Sequence, residues 1–476
     1  MTRGDRIRCL PLLHGGVRQG KAESGASPSS DGSARQGEAG SGASPSSTVA
    51  HDKGRPDLAP PPPPQRRVVR GGRIRLLPLF RRQRRASGAL ALSFSAGSLP
   101  LMKIMAFSRL RVFILGAAFL LLLSATAGEM GVNYGVVADN LPDTQSVVRL
   151  LKDNGITMVR IYNTDPAVLR SLANTGMKVM VMMPNEKVAD AARDPSIAGD
   201  WVWNQVAVYL PATQINGVAI GNEVFDSAPA LTSVLVQAMK NVHAALANLG
   251  LADTVKVTTP IAFSAVDVSF PPSDGRFRPD IAWSVMKPML DFLDQTGSFL
   301  SMNFYPFFAF NDPANQINRD YAVGNPNNPG VQDPKTGLMY SSLLDAQRDA
   351  TYYAMAKLGF SGSSNNSLGL ARGVPVKQSV PESGWPTRGQ VKKGGRLGTR
   401  VGSDGGAATV ANAQAYINNL INRVVSGNTG TPLHPDADMD VYIFALFNEN
   451  KKGSGPDDIE QNFRPLLPEH DQGVRI

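Results

Sequence analysis

A chain of 476 residues with 42% hydrophobic content is long enough for one large globular domain or for several ordinary ones. Its formal charge of +9 is unevenly spread: residues 1–111 carry 20 Lys and Arg against 6 Asp and Glu, and the remainder carries 28 against 33. The part that can fold is therefore mildly acidic, which removes the main support for nucleic-acid binding by it.

Residues 1–101 are rich in Gly, Ser, Pro and Arg, with "GASPSS" twice and "PPPPPQRR" leading toward "RRQRR". Such a composition buries too little apolar surface to offset chain entropy, so a disordered, low-complexity basic extension is expected. The alternatives are a basic arm for nucleic acid or membrane, or a plastid transit peptide. Cys9 lies here and is the sole cysteine, and five histidines occur without ligand spacing. The sequence therefore predicts no disulfide, no metal and no cofactor.

Residues 102–127 have every part of a secretory signal peptide. Lys103, Arg109 and Arg111 form the basic flank, Val112–Leu123 the apolar run, and Ala125-Thr126-Ala127 the small-residue cleavage pattern. The run is short for a bilayer span, so no permanent membrane anchor is expected. Its place a hundred residues into the chain fits translation from Met102 or Met105.

Residues 128–476 read as one domain of alternating strands and helices. "MGVNYG" precedes "TQSVVRLLKDNG", "MVRIYN" precedes "PAVLRSLANTG", and "KVMVMMP" precedes a segment holding "WVWNQVAVYL". "INGVAIGNE" leads to "LTSVLVQAMKNVHAALANLG", "VKVTTPIA" to "WSVMKPMLDFLDQTG", and "FLSMNFYPFF" to "LLDAQRDATYYAMAKLG". "VPVKQSVPES" then precedes "ATVANAQAYINNLINRVVSG", and "MDVYIFALFNEN" supplies an eighth strand. The strands are almost wholly apolar, as burial on both faces requires. Glycines 155, 176, 250, 297, 359 and 427 stand where helices should stop. Eight such units predict a (β/α)8 barrel, a TIM barrel in architecture. An open doubly wound sheet would want a phosphate-binding glycine turn, and "GVNYGVVADN" lacks the spacing.

Barrels of this kind carry their chemistry at the C-terminal ends of the strands. Those ends hold Asn133-Tyr134, Tyr162-Asn163, Asn222-Glu223, Asn303 with Tyr305, Glu382 with Trp385, and Asn448-Glu449. Flat rings, amides and acids in one ring suit a sugar: rings for the faces of a pyranose, polar groups for its hydroxyls. Glu223 closes strand four and Glu382 strand seven, so their mouths face each other across the barrel. Two carboxyls about 5–5.5 Å apart, one a general acid and one a nucleophile, are what retaining glycoside hydrolysis needs. Asn222 is placed to hold a sugar hydroxyl beside them. Bland readings stand next to each residue: Trp385 could plug the mouth, Tyr305-Pro306 could be a turn, and Glu449 with a lysine could be a surface pair.

Taken together, "GVNYG", "VRIYN", "AIGNEV", "NFYPFF", "ESGWPTRG" and "YIFALFNENKK" resemble the successive strand motifs of the family 17 glycoside hydrolases, the plant endo-1,3-β-glucanases. The resemblance is collinear over roughly residues 130–463. It implies that Glu223 is the proton donor and Glu382 the nucleophile. It also implies that Tyr134, Glu449 and a lysine of the 451–452 pair, Lys452 by alignment, line the cleft. Asn448 stands where the family has Asp, Pro381 where it has Ser or a similar residue, and "RPLLPEHDQGVRI" replaces the usual ending.

The resulting expectation is a secreted retaining endo-glycosidase that cuts 1,3-β-glucan in the cell wall by double displacement. Burial and a neighbouring negative charge should keep Glu223 protonated, while hydrogen bonds or the lysine should keep Glu382 ionised. A glucan-binding wall protein without activity and a 1,3-β-glucan transglycosylase are the alternatives. Asn365-Asn366-Ser367 is a glycosylation signal consistent with secretion.

Overall fold

The computed structural model describes residues 128–360, 376–393, 396–398 and 406–464. The basic extension, the signal-like segment 102–127, the Asn365-Asn366-Ser367 site and the chain after Arg464 lie outside the described residues. Among the described residues, no helix is long and apolar enough to cross a membrane.

The strands are β1 (Met130–Tyr134), β2 (Met158–Ile161), β3 (Lys178–Met183), β4 (Gln214–Ile220), β5 (Lys256–Thr258 and Pro260–Ala262), β6 (Phe299–Asn303), β7 (Lys377–Ser383) and β8 (Val441–Ile443). Nine hydrogen-bonded segments form one sheet, and the two at its ends are the halves of β5. Lys256–Thr258 pairs with β4 and Pro260–Ala262 with β6, both parallel. Thr259 alone separates them, and its hydroxyl donates to Ile220 O at 2.8 Å. The ring closes through β5, giving the expected eight-stranded barrel.

Helices follow the strand exits: α1 (Thr144–Asp153), α2 (Pro166–Ser171), α3 (Asn185–Arg193), α4 (Pro195–Gln205), α5 (Leu235–Asn248), α6 (Lys287–Gln295), α7 (Leu343–Lys357) and α8 (Val410–Val425). Their starts are written locally. Asp143 accepts from the Gln145 and Ser146 amides, and Asp165 caps α2 with Pro166 in its first turn. Their stops are written too: Gly155 and Gly427 take φ of 66° and 72°, a region that an L side chain disfavours.

Period-two alternation divides each strand between two cores. Val159, Val179, Val218, Val380 and Val441 join the large cluster shared with the helices. Met158, Met180, Ala219 and Tyr442 form a smaller cluster inside the barrel. Arg160 and Tyr162 follow Met158 at even spacing, so β2 turns them inward as well.

Two departures from the expected strands matter for the site. On β7, Val380 pairs with Val441 and Ser383 with Ile443, so three steps on β7 oppose two on β8. This bulge shifts the alternation and turns Glu382 inward, although Val380, two residues earlier, faces the helices. Pro381 sits in the bulge, where a missing N–H is tolerated. The eighth strand is shorter than its apolar run suggests. After Ile443 the chain leaves the ladder, because the Ala445 amide donates to Phe463 O and that of Leu446 to Asn133 O.

Candidate active site

Glu382 emerges from β7 with 5% of its surface exposed, and three donors converge on its carboxylate. Arg160 Nη1 reaches Oε1 at 2.7 Å, the Tyr162 hydroxyl donates to the same oxygen at 2.9 Å, and the Tyr305 hydroxyl donates to Oε2 at 2.8 Å. Glu382 thus meets one full positive charge and three hydrogen-bond donors, the strong, charge-assisted kind among them. Burial first, and the charge of Glu382 next, raise both phenols well above their ordinary value, so they remain donors. Burial opposes the charge on Arg160, but Tyr162 and Glu382 outweigh it and raise its hold on its proton.

Arg160 is fully buried and uses its planar fork to tie two strand exits together. Besides Glu382 it donates to Pro381 O at 3.1 Å, and its Nη2 donates to Asn222 Oδ1 at 2.7 Å. From Asn222 the network continues to β6: Asn303 Nδ2 lies 3.5 Å from Asn222 Oδ1 and donates to Glu223 Oε1 at 2.8 Å. One chain of side chains, Glu382–Arg160–Asn222–Asn303–Glu223, therefore joins the two predicted carboxylates.

Glu223 is presented differently. It takes φ 49° and ψ 41°, a left-handed conformation that strains a residue other than glycine by about 1–3 kcal/mol. Its N–H donates to Pro260 O at 2.9 Å, and its C=O accepts from the Ser227 hydroxyl at 2.8 Å. The strained turn is thus held by bonds to its own main chain.

Glu449 and Lys452 form a pair, but not at the surface. Glu449 is 2% exposed, its Oε2 lies 2.6 Å from Lys452 Nζ, and its Oε1 accepts from the Val137 amide at 2.9 Å. Lys452 Nζ stands 4.6 Å from the Phe444 ring centre and 5.6 Å from that of Tyr162. Lys451 pairs instead with Asp139 at the surface. The cation that touches Glu382 is therefore Arg160, not the lysine.

Two predicted lining residues stand behind the wall rather than on it. Trp385 is 1% exposed, donates to Ala407 O at 2.9 Å, and packs among Phe307, Phe310 and Tyr416. It plugs the mouth from outside, since the chain has turned away from the barrel axis after Glu382. Tyr134 is buried edge-on to Phe447, and its neighbour Asn133, facing inward, has its Oδ1 3.0 Å from the Tyr162 hydroxyl and shares that single proton with Glu382. Arg160 escaped sequence reasoning, although a lone charge in the apolar run "MVRIYN" signals a buried partner.

Residues 130–473 match the model of the glycosyl hydrolases family 17. Glucan endo-1,3-beta-glucosidase 11 of Arabidopsis thaliana is 37% identical over 379 residues, covering 79% of this chain and 82% of that one. Glucan endo-1,3-beta-glucosidase 10 of the same plant is 38% identical over 359 residues, with 75% and 78% covered. Among solved structures, the beta-1,3-glucanase and pollen allergen CJP38 of Cryptomeria japonica superposes with a TM-score of 0.61 at 38% identity, over 71% of this chain and 95% of that one. A structure from a pair of plant beta-glucan endohydrolases with distinct substrate specificities gives 0.59 at 38% identity, over 71% and 96%. Strand order, mouth carboxylates and these likenesses agree: the chain belongs to the glycosyl hydrolases family 17 and is a glycosidase.

Proposed function

We propose that this glycosidase hydrolyses 1,3-β-glucosidic bonds within β-glucan chains, with Glu382 as nucleophile and Glu223 as proton donor. The observation that carries the reading is the asymmetric network around the two carboxylates. Glu382 receives a cation and two hydroxyls, as an ionised nucleophile needs, whereas Glu223 receives the neutral amide of Asn303. Oε1 of Glu382 already takes two donors and Oε2 takes one, so Oε2 keeps the open lone pair and is the attacking oxygen. In the first step Oε2 bonds to the anomeric carbon, the glycosidic C–O bond breaks, and the leaving oxygen takes the proton of Glu223. In the second, Glu223 takes a proton from water, the water oxygen bonds to the same carbon, and the ester to Glu382 breaks. Both bonds to carbon invert, so configuration is retained.

Secretion to the cell wall is part of the proposal, with residues 102–127 as signal peptide and 128–476 as catalytic domain. It rests on the basic flank, the apolar run and the Ala125-Thr126-Ala127 pattern. N-terminal sequencing of protein recovered from culture medium tests it, a start at Gly128 being expected. For the reaction, purified protein is incubated with laminarin and separately with mixed-linkage and 1,4-linked glucans, with products followed by anomeric NMR. Early β-anomer from laminarin supports the reading. Longer products would indicate transfer, and binding without cleavage would overturn it.

A further inference from the structure

We infer that Asn185 is the positioning residue of the proton donor, holding the Asn222–Glu223 turn by continuing the β3–β4 ladder with its side chain. This rests on Glu223 as the acid. From Met180 and Gly217 the two strands pair in unbroken register up to Met183 and Ile220, and the Gly221 amide donates to Met183 O at 2.8 Å. There β3 ends, since Pro184 has no N–H to offer and α3 begins at Asn185. Without the Asn185 side chain, Asn222 would be left with an unpaired N–H and with only the Ser227 hydroxyl, at 3.0 Å, on its C=O, at the base of a strained turn.

The carboxamide of Asn185 supplies the missing rung. Its Oδ1 accepts from Asn222 N at 2.9 Å, and its Nδ2 donates to Asn222 O at 3.2 Å. Because its partners are a backbone donor and a backbone acceptor, the orientation of the amide is fixed. The second Nδ2 proton goes to the Ser227 hydroxyl at 3.1 Å, and that hydroxyl in turn offers its one proton to the carbonyls of Glu223 at 2.8 Å and Asn222 at 3.0 Å. Both donors of Asn185 are thus spent on the turn. It touches neither carboxylate, so its action on the chemistry runs through the main chain.

Gly221 is fitted to this arrangement. It takes φ 66°, and a Cβ there would fall 2.5 Å from Asn185 Oδ1. The sequence "GNE" therefore combines a residue that leaves room for the amide, one gripped by it, and one aimed by the grip. The side chain of Asn222 is held separately by Arg160, which leaves Asn185 responsible for the backbone on which Glu223 turns.

The test separates aiming of the acid from general damage. Asn185→Ala in the full chain is assayed on laminarin, whose leaving oxygen needs a proton. It is also assayed on a 2,4-dinitrophenyl β-laminarioligoside with azide, which needs neither acid nor base. Glu223→Gln serves as reference. The expected result is a fall of about 100-fold in kcat on laminarin with KM little changed. Turnover of the dinitrophenyl substrate with azide should stay within about threefold of the parent, with a β-glycosyl azide as product. Asn185→Asp, which is isosteric and keeps only the acceptor, is the second variant should the alanine protein not fold. An equal fall on both substrates in the folded variant, or no fall on laminarin, overturns the inference. If Glu223→Gln itself lacks the leaving-group dependence, the assignment of the acid fails instead.

Discussion

The exits of β7 and β4 each present one glutamate to the barrel mouth, but they are built in opposite ways. Around Glu382 the work is done by side chains: a buried arginine and two tyrosines surround the carboxylate. Around Glu223 it is done by main chain: a left-handed turn is tied to Pro260 O and to Ser227, while the carboxylate is met by the amide of Asn303. A group that must remain charged when buried needs donors at its oxygens. A group that must deliver a proton and recover it needs direction, and its charge has to be allowed to change. On the roles proposed above, the two exits follow from those separate requirements.

The largest effect that tests this division comes from deleting each carboxylate. Glu382→Gly should lose about 10⁴-fold or more in kcat on laminarin, and Glu223→Gly about 10²–10⁴-fold. Azide with an activated aryl glycoside then tells the roles apart. In Glu382→Gly it takes the vacated place of the nucleophile and gives the α-glycosyl azide by one inversion. In Glu223→Gly it attacks the glycosyl-enzyme and gives the β-azide by two. NMR of the azide products reads the outcome directly, and the same anomer from both variants would erase the comparison.

Arg160 is the one residue common to both exits, so altering it should disturb both. Arg160→Lys keeps the charge but cannot reach Glu382 Oε1, Pro381 O and Asn222 Oδ1 together. A fall of about 100-fold in kcat is expected, with a lower melting temperature from the strained buried charge. Parent-like kinetics would mean that the fork is structural only.

How much of this is visible in the sequence follows from which forces are local. Apolar strands and glycine stops mark the barrel because burial on two faces and left-handed helix ends leave their imprint on neighbouring residues. Glu223 and Glu382 stand out because a carboxylate at the end of an apolar run is costly without a purpose. Facing is not local. Glu382 points inward only because the ladder with β8 slips at Pro381, a feature of two strands together. Trp385 reads as a sugar platform until the packing of α8 and the Ala407 carbonyl bury it. Arg160 had its signal, a charge in an apolar strand, but its partners lie 62 and 222 residues away.

A smaller effect should separate the two oxygens of Glu382. Tyr305 is the donor to Oε2, whereas Tyr162 shares Oε1 with Arg160. Tyr305→Phe should lower kcat by about 10–100-fold and Tyr162→Phe by about 10-fold or less. Steady-state kinetics on laminarin gives the ratio, and a larger loss at Tyr162 would reverse the assignment of the attacking oxygen.

The smallest effect on activity, none, is expected at a third carboxylate that shows what the mouth avoids. Asp349 on α7 is as buried as Glu382, and among the described residues no Lys or Arg pairs with it. Its Oδ2 accepts from the Leu433 amide at 2.9 Å. Burial, and repulsion from Asp345 besides, push its pKa up to about 6 in spite of that bond. The folded value thus exceeds the unfolded one near 3.8, so the folded state binds the proton more tightly. Its contribution to stability is complete below about pH 4 and is lost as pH rises through 6, on the order of 3 kcal/mol in all. Asp349→Asn, which cannot ionise, should therefore gain on the parent in melting temperature as pH is raised from about 4 to about 8, with kcat unchanged. A difference in melting temperature that is flat with pH would mean that Asp349 is ionised throughout, and that burial without a cation suffices to hold a carboxylate.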